Sequence, residues 1–298
     1  MSTTILTPGT PEGFHPNTQG LAPEQHIPDA LILQITTKVG EVVGDNQSTL
    51  VPLVDVDAIP AYVAEGSPLP DGDPATTHVE IRNSKVGIVV DVSEEQFYAT
   101  NISELLSREV MRALQVKSNA LLLRQAAPVS PAVQPVAGIL AQGNQVATPI
   151  QDDLDALVWA IAAVESLPDG AATHILCDPL AWAQLSVLKK FVGDTDSNEN
   201  LLGAGTLSTP KFLLGIPVTV TSAMPPLKLT VLDKKRLLAT YSSIRTKVSD
   251  HVGFKSETLS IRASLRQGVK VNNSDAVQVL NVAAPAGEGV DPGEGEGE

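Results

Sequence analysis

The stretch AEGSPLPDGDPATTHVEIRNSKVGIVVDVSEE, residues 64–95, runs from dense turn chemistry straight into a long alternating segment. Its first twelve residues hold three prolines, two glycines and three acids. A hairpin needs only about two to five loop residues. So much punctuation marks either an ordinary surface loop or a projection that reaches outside the subunit. Beyond it, Val79, Ile81, Val86, Ile88, Val90 and Val92 predict one strand of about fourteen residues, roughly 45 Å long at the usual rise. That is more than twice the typical length, so the strand overhangs any small sheet.

Upstream, STLVPLVDVDAIPAYV (48–63) alternates as a strand broken by Pro52 and Pro60. Downstream, Asn101 and Glu104 form a capping-box pattern, in which each side chain satisfies an orphan backbone donor. Ile102, Leu105, Leu106, Val110, Leu114 and Leu121 then recur at helical spacing. A helix running to about Gln125 would be roughly 36 Å long. Its other face, with Ser103, Ser107, Arg108, Arg112 and Lys117, is polar, so it reads as a rod laid along a sheet.

Further out, 128–149 is rich in proline and glycine and gives the internal boundary. Helices are predicted over 152–167 and 179–190, and strands over 174–177, 216–221, 227–232, 236–241, 256–266 and 276–282. The segment 193–210 reads as a mobile connection. The first thirty residues carry five prolines and three glycines, which makes them an extended arm. From Ala284 the sequence APAGEGVDPGEGEGE can bury nothing and is expected to be disordered.

Composition excludes several functions. Hydrophobic residues make up 43% and aromatic residues 3%, so a core must come from aliphatic side chains, and contacts with other copies would compensate for the missing rings. The formal net charge is −14, and no basic cluster exceeds DKKR (233–236). Nucleic-acid binding by counterion release needs more than that. No apolar run approaches the length of a membrane span, and no apolar stretch follows the first Met as a secretory signal would. One cysteine, Cys177, fits a reducing compartment.

Catalytic patterns are weak. None of His15, His26, His78, His174 and His251 lies within four residues of another, and only His174 comes near Cys177, so zinc spacing is missing. Cys177 with His174 suggests thiol chemistry, but residues three apart on a strand point to opposite faces. GAGT (203–206) lacks the Lys-Ser/Thr of a phosphate loop. Glu65, Asp71 and Asp73 lack the calcium-loop pattern and read as solvated turn acids. No cofactor or metal is expected.

Taken together, VAEGSPLPDGDPATTHVEI and KVGIVVDVSEE resemble the extended-loop hairpin of tailed-bacteriophage major capsid proteins with the Hong Kong 97-type fold. The positions that match are Ala64, Glu65, Gly66, Pro70, Asp73, Val92, Ser93 and Glu95. ISELLSREVMRALQVKSNALLL is similar to the family's spine helix, PVAGIL to the turn leaving it, ILCDPLAWAQLSVLK to a strand-Pro-helix unit, and LLGIPVTVTSAMP to the L-x-G-x-P-V strand. The ordered set covers about 50–283.

The resemblance implies an α+β capsid fold. Its parts would be an N-terminal arm (1–47), a peripheral strand (48–63), an extended loop (64–92) and a spine helix (93–126). An axial domain (127–228), returning peripheral strands (229–283) and an acidic tail (284–298) would complete it. Contact residues would be Glu65, Pro70, Asp71, Asp73, Arg82 and Lys85 on the loop, and Asn101, Glu104, Arg108 and Arg112 on the helix. Gly215, Pro217 and Val218 would carry the axial motif.

The family's subunits form hexamers and pentamers of an icosahedral shell around double-stranded DNA, assembled in the host cytoplasm and becoming the virion capsid. Expected partners are copies of the chain, a separate scaffold protein, a portal and a decoration protein, with no sequence-specific DNA contact and no membrane. Some relatives join an extended-loop Lys to an Asn of a neighbour. Lys85 lies within about one position of that Lys, but 252–271 contains no Asn and only Glu257 as a carboxylate, so non-covalent stabilisation is expected. The competing readings are an encapsulin-like nanocompartment shell and an intracellular hydrolase using Cys177.

Overall fold

The computed structural model describes residues 27, 29–56, 62–63, 65–67, 69, 74–98, 102–189, 201–202, 211–253 and 255–283. In chain order its elements begin with helix α1 (Leu31–Ile35) and strands β1 (Thr37–Glu41), β2 (Ser48–Val56), β3 (Pro74–Arg82) and β4 (Ser84–Ser93). Helices α2 (Glu94–Tyr98), α3 (Ile102–Arg124) and α4 (Ile139–Gln142) follow, then β5 (Asn144–Gln145), α5 (Asp155–Glu165), β6 (His174–Cys177) and α6 (Pro179–Val187). The remaining strands are β7 (Phe212–Leu213), β8 (Ile216–Val220), β9 (Lys228–Leu232), β10 (Leu237–Tyr241), β11 (Arg245–Gly253), β12 (Thr258–Val271) and β13 (Val277–Asn281).

Two compact units emerge: residues 1–142 with 234–273, and residues 143–233 with 274–298. The first is organised by β12. Antiparallel β4 pairs with it from Ser93↔Thr258 to Ser84↔Gln267, while β11 and then β10 pair along Thr258–Ser264 and Gln267–Val271. Strand β1 adds in parallel to β10. Over 258–266 of β12 the alternation is strict: Leu259, Ile261, Ala263 and Leu265 are buried, and the residues between them face the other way. Ile261 and Ala263 cluster with Val110 of α3, beside Ile88, Val90, Leu106 and Phe97. The aliphatic stripe expected from the helical spacing is therefore the stripe that packs, although Leu105 is left exposed.

The second unit is a six-stranded sheet in the order β5-β13-β9-β6-β8-β7. Helices α5 and α6 pack on it through Leu157, Ala160, Val164, Ala181 and Leu185, against Ile175, Cys177, Leu229, Val231 and Leu280. Asp178 starts α6 by accepting from the backbone N–H of Leu180 at 3.0 Å, with Pro179 at the first helical position, where its missing N–H costs nothing.

Three expectations need correction. The single strand over 79–92 is two strands, broken at Asn83: β3 pairs only with β2, and β4 enters the sheet beside β12. The expected boundaries at 127 and 228 also shift. Residues up to Gln142 pack in the first unit, whereas β9 and β13 pair with each other in the second. Backbone pairing decides this, because a strand's N–H and C=O groups must find a ladder. Finally, 31–47 is not arm: Leu31, Ile32 and Ile35 are buried, and the backbone N–H of Leu31 donates to Asn119 Oδ1 of α3 at 2.9 Å. The expected arm over 1–26 and the tail over 284–298 lie outside the described residues, as do 203–206 and most of 193–210.

Candidate assembly surfaces

Strands β2 and β3 form a two-stranded sheet with nine register pairs, from Ser48↔Arg82 to Val56↔Pro74. A two-stranded ribbon is marginal by itself in water, so its root has to be fixed. Asn83 fixes it. This side chain is fully buried; its Nδ2 donates to Thr49 Oγ1 at 3.3 Å and its Oδ1 accepts from Thr240 Oγ1 at 2.7 Å. The Asn83 N–H donates to Gln47 O at 2.7 Å, and its carbonyl accepts from Gln134 Nε2 at 3.3 Å. Gly268 of β12 passes so close that a Cβ there would sit 2.3 Å from Arg82 O and 2.6 Å from Asn83 Oδ1. Sequence reasoning missed both residues. Beyond the root, Leu50 of β2 is exposed, as are Tyr62 and Leu69 of the segment that joins β2 to β3.

Of the proposed loop contacts, Glu65 is exposed, and Arg82 pairs with Glu80 at 3.3 Å. Pro70, Asp71 and Asp73 lie outside the described residues. Lys85 is not on the ribbon: it sits in β4, opposite Arg266. The break at Asn83 moves it from the loop to the sheet.

On α3, Arg108 and Arg112 are exposed, and Arg112 bridges to Glu109 at 2.7 Å. That pair holds the Glu109 carboxyl below its ordinary value, through the hydrogen bond first and the guanidinium charge second. Asn101 and the side chain of Glu104 lie outside the described residues. Toward the helix C-terminus, Ser118 Oγ donates to Gln267 Oε1 at 2.5 Å, and Gln267 Nε2 returns to Ser118 O at 3.0 Å. Both residues are buried, so one closed polar pair sets the register of α3 on β12. Gln142 does similar service, donating to Ala137 O at 2.7 Å and accepting from the Val271 N–H at 3.0 Å.

In the second unit, Leu214 and Gly215 have φ of 50° and 82° and form the two-residue turn between β7 and β8. Such a turn needs positive φ at both positions, which favours Gly. Pro217 opposes Phe212 in β8, and Val218 enters the core. These three positions therefore share one hairpin. Cys177 is fully buried, and burial, followed by the nearby Asp178 charge, pushes its thiol up to about 12. Burial and the raised pKa leave little of the thiolate, the nucleophilic form, at neutral pH. Among the described residues no group of three or more His, Cys, Asp or Glu is placed to hold a metal.

The chain matches the phage capsid family over residues 32–282. Its fold is similar to a solved structure from Gordonia phage Cozz, at 16% identity and a TM-score of 0.63, covering 86% of this chain and 87% of that one. The capsid of a native GTA particle is similar at 17% identity and a TM-score of 0.62, covering 94% and 96%. A structure from Mycobacterium phage Adephagia is similar at 12% identity and a TM-score of 0.60, covering 90% and 92%. None of the curated proteins matches.

Proposed function

The chain belongs to the phage capsid family, and from that premise we propose that it is the major capsid protein of a tailed-phage head, tiling an icosahedral shell as hexamers and pentamers. One observation carries the reading of how it tiles. A ribbon with nine register pairs, held at its Asn83 root, exposes Leu50, and the segment joining its strands exposes Tyr62 and Leu69, an arrangement suited to burying those groups against another copy.

In this reading the first unit with α3 is the peripheral domain and the second the axial domain. Glu65, Pro70, Asp71, Asp73 and Arg82 serve intersubunit contact. Shell formation in the host cytoplasm uses a separate scaffold protein, with a portal at one vertex and a decoration protein outside. The shell holds double-stranded DNA without sequence-specific contact, is stabilised without covalent cross-links, and performs no catalysis.

Negative-stain microscopy of the purified chain, alone and with the scaffold protein, tests this. Rings or closed shells are expected, and Leu50→Asp with Leu69→Asp should leave a folded chain that forms neither. A monodisperse monomer at high concentration, with no assembly beside the scaffold, would overturn the proposal. The likeness to the GTA capsid favours a second reading, the shell of such a particle; sequencing the nucleic acid recovered from purified shells separates the two.

A further inference from the structure

The first unit's sheet turns one face away from α3, and that face is basic in a chain whose formal net charge is −14. Strand alternation puts Arg262 and Arg266 of β12 on it. The register sets Lys247 opposite Arg262, Arg245 opposite Ser264, and Lys85 opposite Arg266. Like charges directly opposite on neighbouring strands repel. Compensation by the sheet's own surroundings is partial. Asp45 Oδ1 lies 3.7 Å from Arg245 and 3.1 Å from Arg266, and Asp91 accepts from Ser260 Oγ at 2.5 Å. Among the described residues no carboxylate pairs with Lys85, Lys247 or Arg262. The five cations and Asp45 line a hollow of about 230 Å³.

We propose that this face is the docking site for segment 284–298 of a copy of this chain. The segment carries Glu288, Asp291, Glu294, Glu296 and Glu298 and no Lys or Arg. Charge is half of the fit, and spacing is the other half. Glu294, Glu296 and Glu298 alternate with glycines, so an extended chain puts all three carboxylates on one side, about 6.8 Å apart. Along β12 the positions 262, 264 and 266 have the same spacing, with cations at 262 and 266 and Arg245 beside 264. Two carboxylates then meet Arg262 and Arg266, the middle one meets Arg245, and Lys247 and Lys85 flank the row. The intervening glycines have no side chain to hold the segment off the sheet. The acids of the β2–β3 connection (Asp57, Glu65, Asp71 and Asp73) include only one such i, i+2 pair, so they match the row less well.

Docking does not depend on shell formation and is read in the unassembled chain, so its failure and that of the capsid reading are separable. Zero-length carbodiimide coupling of the full chain, mapped by mass spectrometry, should join Glu294, Glu296 or Glu298 to Lys85 or Lys247. In a second arm, a labelled 284–298 peptide is titrated by anisotropy into the full chain carrying Glu294→Gln, Glu296→Gln and Glu298→Gln. Adding Lys247→Glu and Arg262→Glu to that chain should weaken binding about tenfold or more. A peptide with Glu294→Lys, Glu296→Lys and Glu298→Lys should instead prefer the reversed face. Binding should also fall from about 0.1 M to about 1 M salt, as the Debye length shrinks from about 10 Å to about 3 Å. Should the reversed chain not fold, Lys247→Gln with Arg262→Gln removes the charge without adding carboxylates. Peptide binding indifferent to the face substitutions, or Lys85 and Lys247 coupling only to residues 57–73, would overturn the proposal.

Discussion

Asn83 shows how one buried amide can settle an architecture. Its side chain and backbone are both spent on holding the ribbon's root to β10 and to the segments around Gln47 and Gln134. Asn83→Leu leaves the buried Thr240 Oγ1 without its partner, at a cost of about 1–3 kcal/mol, and removes the bond to the part-buried Thr49 Oγ1. The expected outcome is a lower urea midpoint with an unchanged slope. Cys177 makes a second residue-scale prediction. Its thiol ionises near 9 when unfolded and near 12 when folded, so the unfolded chain loses its proton first. That stabilising contribution is complete below about pH 9 and is lost as pH rises toward 12, with a slope of at most about 1.4 kcal/mol per pH unit. Urea midpoints measured across this range should fall less steeply for Cys177→Ala than for the parent chain.

At the scale of elements, the ribbon and β12 are opposites. Strand β12 is paired on both edges, whereas β2 and β3 pair chiefly with each other. Hydrogen exchange in the unassembled chain should therefore run much faster at 48–56 and 74–82 than at 258–271, and slow on assembly. Equal protection in the unassembled chain would contradict the marginal-ribbon picture. Much of this scale was legible in the sequence. Helix α3 ends where its spacing ended, and the alternation of 256–266 matches the burial of β12. The break at Asn83 is legible too: the apolar positions are odd at Val79 and Ile81 and even from Val86 onward, a phase flip that one continuous strand cannot contain. Strands β1 and β11 carried weak signals. Exposed Lys38, Lys247 and His251 give them polar patterns, and their existence depends on edges supplied by distant segments. The polar locks at Asn83 and at Ser118–Gln267 had no local signature, because hydrogen-bond partners 157 and 149 residues apart leave no pattern in any window.

For the whole molecule, the expected absence of covalent joining has a direct check. Lys85 lies on a basic sheet face and not on the ribbon, and 252–271 offers no Asn. Denaturing electrophoresis of mature shells should give a single band at the subunit mass of 31.2 kDa. A ladder of covalent oligomers would sink this view.

The way the chain threads its two units also sets a clock. The second unit interrupts the first, and the first resumes at 234 before the last strand returns to the second. Asp91 of β4 waits for Ser260 of β12, 169 residues later. At about 5–20 residues per second the ribosome leaves β4 without its neighbour for roughly 10–30 s. Throughout that interval Val86, Ile88 and Val90 sit beside an unpaired strand edge, in a cell making the same chain many times over. A nascent subunit is thus most open to pairing with the wrong copy before it can pair with itself.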